Sequence, residues 1–465
     1  MASVSTRGTT RGFIDPAIKR GALPPASFGV AERKENGDKI YLRLPPGVAL
    51  DSAVIEVAGH RFLFSFAADS PFKPGKHNLV LRGITFRHFA SRTKDWGRED
   101  TIALGARHQQ LLIEDCAFNW NNATGLRLQD EHITVRNSEA SYNGHGGFGG
   151  EFGIAVLENN VTNYNQWRGA WGGMYGWNWG GVKFGGAHGG NQTIRGHESI
   201  GNLTHGFWYD IHPHHIDLDG LVLLENKQTG LDLELAQGPF TVTRMLAAGN
   251  HGGQFTMSIV GEFSISDSIL YGGPGTYRKL KDKQVPSPVV NMQWYLRNDE
   301  HAKYRPIVPT RFEIRDSVVV ATSETSGLFL EHNGYKREHA NYGKIDQAYQ
   351  GNNNLFFAMQ GAAQFTYVQA NWQPKTVDLA GWQAWTREQG VHVTDPGFTD
   401  GLGYDFTLSA DSPLADRAAA LPAQRIDPAK IAEARRFAAW AERGLVLNGE
   451  DMNDRLTEDG ITTVE

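Results

Sequence analysis

The chain has 465 residues, a net charge of −6 at pH 7, a single cysteine and a high content of glycine, 54 residues. So little net charge excludes the basic surface that a nucleic-acid partner needs, and one cysteine excludes a disulfide framework. No stretch approaches the ~20 consecutive apolar residues of a membrane-spanning helix, so no membrane partner is expected.

Residues 1–77 are predicted to form an N-terminal cap. Their beginning, "MASVSTRGTTRGFIDPAIKRGALPP", lacks the apolar core of a signal peptide, which leaves a cytoplasmic protein and a secreted protein without its leader both open. The segments "DKIYLRLP" and "VIEVAGHRFLFSF", within residues 38–66, alternate as strands do. They predict a short β segment, or the remnant of coils missing from this chain. An uncapped first coil would favour association into a homo-oligomer.

Internal repeats dominate the chain from residue 78 onwards. An asparagine is followed four residues later by a glycine at Asn121/Gly125, Asn143/Gly147, Asn202/Gly206 and Asn226/Gly230. The steps along Asn121, Asn143, Asn165, Asn202, Asn226 and Asn250 are 22, 22, 37, 24 and 24 residues. Short apolar runs such as "LLIEDCAF" and "IDLDGLVLLEN" lie between them. This period predicts an all-β fold, a right-handed parallel β-helix over residues 78–425. The alternative is an antiparallel sandwich, but it does not explain the asparagines at one period, because hairpin loops need not share a register.

Alternation along each strand separates side chains that face the core from those that face outwards. Counting from each glycine, the first and third residues are apolar and are expected inside: Leu126 and Leu128, Phe207 and Tyr209, Leu231 and Leu233, Leu328 and Leu330. The second and fourth are expected outside: Arg127 and Gln129, Gly149 and Glu151, Lys183 and Gly185, Trp208 and Asp210, Asp232 and Glu234, Phe329 and Glu331. The coil after Asn250 slips in this register, so the pattern is not extended through it.

Asp210 and Glu234 thus occupy the same outward position on successive coils, whose strands lie ~4.8 Å apart. The two carboxyl groups of a retaining glycosidase are about 5–5.5 Å apart, against roughly 6.5–9.5 Å in an inverting enzyme. Two like charges this close cannot both ionise freely, so the pKa of one carboxyl is expected to rise, as an acid/base beside a nucleophile requires. The alternative is that both acids are solvated and inert.

Polar and aromatic residues around this pair are predicted to contact a sugar. On outward positions and neighbouring turns they are Arg127, Glu151, Lys183, His205, Trp208, His212 and Asp232. For Lys183 two alternatives stay open: it adjusts the charge state of Asp210, or it is a solvated side chain.

One coil carries an insertion. Where other coils place three residues between asparagine and glycine, the coil of Asn165 places fifteen, "QWRGAWGGMYGWNWG". Its tryptophans, among them Trp177 and Trp179, are predicted to stack on sugar faces beside the acids. The alternative is a loop that covers the solenoid, with its tryptophans packed for stability.

No cofactor and no metal site are predicted. In "HPHH", residues 212–215, the adjacent His214 and His215 would face opposite ways on a strand and could not share an ion. The glycine-rich "GHGGFGGEFG" lacks the spacing of a dinucleotide or phosphate loop, and no helix follows it. Cys116 is expected in a strand of the core.

Two long connections, residues 272–310 and 332–353, are predicted to wall the cleft. Residues 426–465 are predicted to form a C-terminal helix and tail. In this part "PAKIAEARRFAAWAERG", residues 428–444, has helical spacing and is expected to pack on the C-terminal end of the solenoid.

Over residues 78–415 the chain resembles the pectin-lyase-like superfamily of carbohydrate-active enzymes, including the ending "DPGFTDGLGYDFTLSADSPLADRA". "GFWYD", followed one coil later by "GLDLEL", resembles the active-site pattern of family 120 of the glycoside hydrolases, the β-xylosidases. The resemblance implies a retaining glycoside hydrolase acting on a plant or algal polysaccharide or oligosaccharide, with Asp210 as nucleophile and Glu234 as general acid/base. The chain departs from that family in lacking a clear inserted β-sandwich domain.

Two other functions stay open on this fold. A polysaccharide lyase needs a base of Lys, Arg, His or Tyr type, which Lys183, Arg127 or the histidines could supply. A wall of acids would nevertheless repel a polyuronate unless calcium intervened. A non-catalytic carbohydrate-binding β-helix would have no turnover to lose.

Overall fold

The structure, a computed structural model, shows a parallel β-helix in which successive coils each contribute a strand to each of three sheets. It describes residues 27–31, 39–43, 49, 64–65, 78–89, 102–105, 110–129, 132–167, 180–185, 190–211, 214–272, 277–280, 283–294, 307, 310–323, 326–333, 348–368 and 374–447.

The three sheets are named here A, B and C, and corresponding strands of successive coils pair in parallel in each. Sheet A contains the strands Phe64–Ser65, Ile102–Gly105, Leu126–Gln129, Gly146–Glu151, Gly180–Gly185, Phe207–Asp210, Leu231–Ala236, Phe255–Val260, Lys283–Trp294, Ser326–Asn333, Phe365–Val368 and Pro374–Val377, with Tyr277–Leu280 beside Lys283–Trp294. Sheet B contains the strands Asn78–Arg82, Gln110–Glu114, His132–Arg136, Ile154–Glu158, Gln192–Arg195, Ile216–Asp219, Phe240–Thr243, Glu262–Ser266, Arg311–Arg315, Tyr349–Asn352 and Arg387–Gln389. Sheet C contains the strands Glu198–Ile200, Val222–Leu224, Leu246–Ala248, Ile269–Tyr271, Val318–Ala321, Leu355–Ala358 and His392–Val393.

The remaining elements lie at the ends or on the side of the solenoid. They are the strand pairs Ser27–Ala31/Lys39–Arg43, Thr85–Arg87/Ala117–Asn119 and Phe398–Asp400/Asp405–Leu408, the helices Leu379–Trp385 and Pro428–Leu447, and a 3-10 turn at Ala415–Arg417. Among the described residues, no helix combines the length and the apolar character needed to cross a membrane. The predicted all-β parallel β-helix with a C-terminal helix is confirmed.

The core fills the space between the sheets with apolar side chains that alternate along each strand. The inward residues predicted for sheet A, such as Leu126, Phe207, Tyr209 and Leu231, are fully buried, because each coil covers the apolar surface of the next. Cys116 is also buried, as predicted, but it lies in the turn between two strands and not in a strand.

A ladder of buried asparagines joins the coils at the turn that enters sheet A. The side-chain oxygen of each asparagine accepts the backbone N–H of the asparagine one coil earlier, along Asn121, Asn143, Asn165, Asn202, Asn226 and Asn250. The residue before each asparagine has a left-handed backbone, with φ between 53° and 67°. The repeat therefore marks a turn whose polar groups are satisfied from coil to coil, which is why its spacing follows the length of one coil.

Gln254 ends the ladder. Its Oε1 accepts the backbone N–H of Asn250 at 3.2 Å and the Nδ2 of the same residue at 2.7 Å, the place that the next asparagine would take. Phe255 then faces the core, while Thr256 and Ser258 pair with Asp232 and Glu234. The outward column therefore continues through this coil, and the expected slip in register is wrong. Phe255 follows Asn250 at the same spacing as Leu231 follows Asn226, with Gln254 in the place of the glycine.

The C-terminal helix packs on the side of the solenoid, so its predicted place on the C-terminal end is wrong. Phe437 contacts the rings of Tyr142 and Tyr164, which stand at the asparagine turn. Arg435 donates to the carboxylate of Glu225 at 2.8 Å. The far end of the core is closed instead by the short helix Leu379–Trp385, where Trp382 is fully buried.

Two further predictions about the later coils are wrong. The stretch 272–310, expected to be a connection, contains the long strand Lys283–Trp294, which continues sheet A with Val290 and Met292 in the core. The pairing of Phe329 with Val290 and with the buried Phe365 places Phe329 at an inward register position, one residue away from the expected alternation.

Asn202→Ala tests the asparagine ladder. Asn202 Oδ1 accepts the backbone N–H of Asn165, and its Nδ2 donates to the carbonyl of Thr162 at 3.0 Å. Because each buried polar group left unpaired costs about 1–3 kcal/mol, the free energy of unfolding is expected to fall by roughly 3–5 kcal/mol.

Urea denaturation followed by circular dichroism measures this change. Asn191→Ala, at an exposed position next to sheet B, is the matched control and should stay within about 0.5 kcal/mol of the wild type. Equal effects of the two substitutions would mean that the ladder does not hold the coils together.

Candidate active site

The outer face of sheet A carries two parallel columns of outward residues. In one column, Lys183, Trp208 and Asp232 pair in consecutive strands. In the other, Asp210 pairs with Glu234, and Glu234 pairs with Ser258. The structure therefore places the two acids at the same outward position on neighbouring strands.

The part of this face around Asp210 is largely buried, although it points away from the core. Trp208 is 3% exposed and Asp210 is 5% exposed, and Thr256 and Ser258 are also buried. On the outer face of sheet B, by contrast, Asp217 is exposed to solvent. Charges at the candidate site therefore interact in surroundings with little water, where electrostatic interactions are stronger than at an open surface.

Lys183 forms an ion pair with Asp210. Its Nζ lies 2.9 Å from Oδ2 of Asp210, and the side chains are 14% and 7% exposed. The same Nζ stands 3.3 Å from the centroid of the Trp208 ring, in cation–π contact. Of the alternatives for Lys183, the solvated side chain is thus wrong.

Two buried polar atoms of this cluster lack a hydrogen-bond partner. Oδ1 of Asp210 and Nε1 of Trp208 are buried and have no hydrogen-bond partner among the described residues. A buried carboxylate oxygen and a buried indole N–H are costly unless something bonds to them. Together they can accept from one hydroxyl of a sugar and donate to another. The Trp208 ring itself is packed, so a sugar would meet its N–H and not its face.

His205 is a neutral member of the cluster. Its ring lies 4.9 Å from that of Trp208, and its Nδ1 is 3.4 Å from Oδ2 of Asp232. Burial, with a smaller effect from the charge of Lys183, lowers the pKa of His205 to about 3. The contact with Asp232 is therefore a polar contact of a neutral imidazole and not an ion pair.

A residue with a left-handed backbone follows each of Asp210, Glu234 and Ser258 in this column. Ile211, Leu235 and Ile259 have φ values of 57°, 50° and 58°. Such a backbone is rare for a branched side chain and costs on the order of 1–3 kcal/mol. It persists because the turn drives Leu235 and Ile259 into the core, where both are buried. The acids consequently stand at the last extended position before a fixed bend. The sequence did not reveal this bend, because the residues that form it are apolar.

Gly185, expected at an outward position but with no role assigned to it, shapes the site. It is the pairing partner of Asp210 on the preceding strand. A Cβ at this position would come to 2.6 Å from the backbone oxygen of Asp210, so only glycine fits. The usable signal in the sequence was a glycine at an outward strand position next to an acid.

The remaining predicted contacts lie farther away or outside the described residues. Glu151 is exposed and separated from Asp210 by the strand of Gly185, and Arg127 is separated from Lys183 by the strand of Gly149. Neither is thus a direct neighbour of the acid pair. His212, Trp177 and Trp179 lie outside the described residues.

Trp167, the first tryptophan of the insertion, belongs to the protein interior. It is buried, and its Nε1 donates to the backbone oxygen of Tyr142 at 3.0 Å. For this residue the packing alternative is correct.

The prediction that the side chains of His214 and His215 face opposite ways is wrong. Their Nδ1 atoms lie 3.1 Å apart, because His215 has a left-handed backbone with φ of 57° and strand alternation does not apply. Within the described ranges, no group of three or more His, Cys, Asp or Glu side chains is arranged to hold a metal ion.

Comparison with known proteins supports the fold. The family described as a right-handed β-helix region matches residues 102–265, which include the strands of Lys183, Asp210 and Glu234. Comparisons with curated proteins and with solved structures found no match. The chain thus contains a right-handed parallel β-helix, a fold common among polysaccharide-processing enzymes.

His205→Gln tests the buried neutral imidazole. Between the ordinary histidine pKa of 6.5 and the value of about 3 in the folded protein, the unfolded chain binds a proton that the folded protein does not. The free energy of unfolding therefore decreases as the pH falls through this window. The substitution should reduce that slope by up to about 1.4 kcal/mol per pH unit.

Urea denaturation at a series of pH values between 6.5 and 4 measures the slope. His392→Gln, at an exposed position, is the control and should keep the wild-type slope. A slope that His205→Gln leaves unchanged would show that His205 is protonated in the folded protein.

Proposed function

We propose that the protein is a retaining glycoside hydrolase that cleaves a plant or algal polysaccharide or oligosaccharide, with β-xylosides as the first substrates to try. The observation that carries the proposal is the pairing of Asp210 with Glu234 on a covered outer face, with one oxygen of Asp210 engaged by Lys183.

The spacing of the pair favours the retaining mechanism. Paired residues on neighbouring strands are separated by ~4.8 Å along the sheet. This is close to the separation of about 5–5.5 Å in retaining enzymes and shorter than the roughly 6.5–9.5 Å that leaves room for water in inverting ones.

The surroundings of the two acids support the proposed roles. Asp210 is buried and ion-paired through Oδ2, which leaves Oδ1 to attack the anomeric carbon. Glu234 is half-buried, where it can reach both the glycosidic oxygen and water. As the bond from Oδ1 to the anomeric carbon forms, the glycosidic bond breaks and its oxygen takes the proton of Glu234. Glu234 then removes a proton from water, which attacks the same carbon and releases Asp210.

The lyase alternative is less well supported by the site. A lyase base must be free to remove a proton from the substrate. The ammonium group of Lys183 is engaged by Asp210 and by the Trp208 ring. Asp232, Asp210 and Glu234 would also repel the carboxylates of a polyuronate.

Hydrolysis of a panel of nitrophenyl glycosides and polysaccharides tests the proposal. The variants are Asp210→Asn and Glu234→Gln, with Asp217→Asn on the exposed face of sheet B as a matched control. Loss of the acid/base is expected to lower kcat by about 10²–10⁴-fold, and loss of the nucleophile by more. The control should keep the wild-type rate. Proton NMR of the first product should show the anomeric configuration of the substrate.

Two results would overturn the proposal. An ultraviolet-absorbing unsaturated product would identify a lyase. Sugar binding that survives both substitutions, with no turnover by the wild type, would identify a carbohydrate-binding β-helix.

A further inference from the structure

We infer that Lys183 is a positioning residue, held on the Trp208 ring, that fixes the carboxylate of Asp210 for attack. The inference rests on the proposed function, since it assigns a partner to the proposed nucleophile.

The reach of Lys183 is diagonal across the sheet. Its pairing partner on the next strand is Trp208, whereas the partner of Asp210 is Gly185. To meet Oδ2 of Asp210, Lys183 must therefore extend past the Trp208 ring and along the strand, a distance that long side chains can span. The cation–π contact with Trp208 lies on this route.

Glycine at position 185 keeps the route open. Any side chain there would occupy the outward position directly beside Asp210, and its Cβ would collide with the Asp210 backbone oxygen. The sequence "VKFG" thus supplies both the cation and the gap next to its target.

Separating the ammonium group of Lys183 from the carboxylate of Asp210 would cost free energy. Both side chains are largely buried, and a buried charge without a partner is strongly unfavourable. The pair therefore holds one orientation of the carboxylate, with Oδ2 on the ammonium group and Oδ1 directed elsewhere. The Trp208 ring supports the cation and is not a platform for sugar stacking.

Of the charged groups that face Asp210, Lys183 is the one with the opposite charge. Those facing it from neighbouring strands and turns are Lys183, Asp232, Glu234, the more distant Glu151, and the neutral His205. Asp232 and Glu234 carry the same charge as Asp210 and repel its carboxylate, and His205 adds no charge. The ammonium group of Lys183 is what opposes them.

The test compares Lys183→Met with a matched control, Lys430→Met. Lys430 also pairs with a carboxylate, that of Glu198 at 2.5 Å, but on the C-terminal helix. On the best glycoside of the wild type, Lys183→Met is expected to lower kcat by about 10²-fold, since a misplaced reacting group costs about that much. KM should change little. Lys430→Met should change none of these.

A second readout does not require activity. Apparent Tm is measured at pH 7 for Lys183→Met, Asp210→Asn and the double variant. Each single substitution leaves a buried charge without its partner and should lower Tm. The double variant should melt above Lys183→Met, because Asp210→Asn then removes the stranded charge.

The outcomes separate this inference from the proposed function. A wild type without turnover on any glycoside refutes the hydrolase, and the melting series still decides whether Lys183 holds Asp210. Additive Tm changes, or a Lys183→Met enzyme with the wild-type kcat, would overturn the inference while leaving the hydrolase intact.

Discussion

The structure depends on the parallel stacking of coils in one fixed register. The asparagine ladder supports this register at the turn before sheet A, where each side chain bonds the backbone of the preceding coil. From that turn, Asn202 and Asn226 each lead through a glycine into a strand whose fourth residue is an acid. Two residues that are 24 positions apart in the sequence thereby become neighbours on adjacent strands. A slip of one residue would turn the acids into the core and the leucines outwards.

That register brings like charges together, and the rest of the site limits the cost. Asp210 is paired with Lys183, which is supported by Trp208. Next to them, His205 stays neutral because it is buried. The outer face of sheet A is largely buried around Asp210, whereas the equivalent face of sheet B carries exposed residues. Placing carboxylates side by side where water is scarce is unfavourable for stability alone, and proteins accept such arrangements mainly at functional sites.

The sequence predicted those parts of the fold that a repeat can specify. The asparagine–glycine spacing gave the solenoid, and alternation gave the outward position of Asp210 and its pairing with Glu234. The sequence missed an interaction, or left alternatives open, where the interaction joins residues with no fixed spacing. Gln254 bonds Asn250 in place of an asparagine from the next coil, although it lies only four residues after Asn250 in the chain. Trp167 packs against Tyr142 although its neighbours are glycines and aromatics. The ion pair of Lys183 runs diagonally between strands, and only coordinates show which of two carboxylates it meets.

The most direct test of the account is to trap the glycosyl-enzyme. A 2-deoxy-2-fluoro xyloside with a dinitrophenyl leaving group slows breakdown of the intermediate more than its formation, so a retaining enzyme should accumulate in covalent form. We expect inactivation with one sugar bound per chain, and peptide mass spectrometry should find the sugar on Asp210. Attachment to Glu234 or to any other residue, or steady turnover of substrates with inversion and no covalent species, would contradict the account.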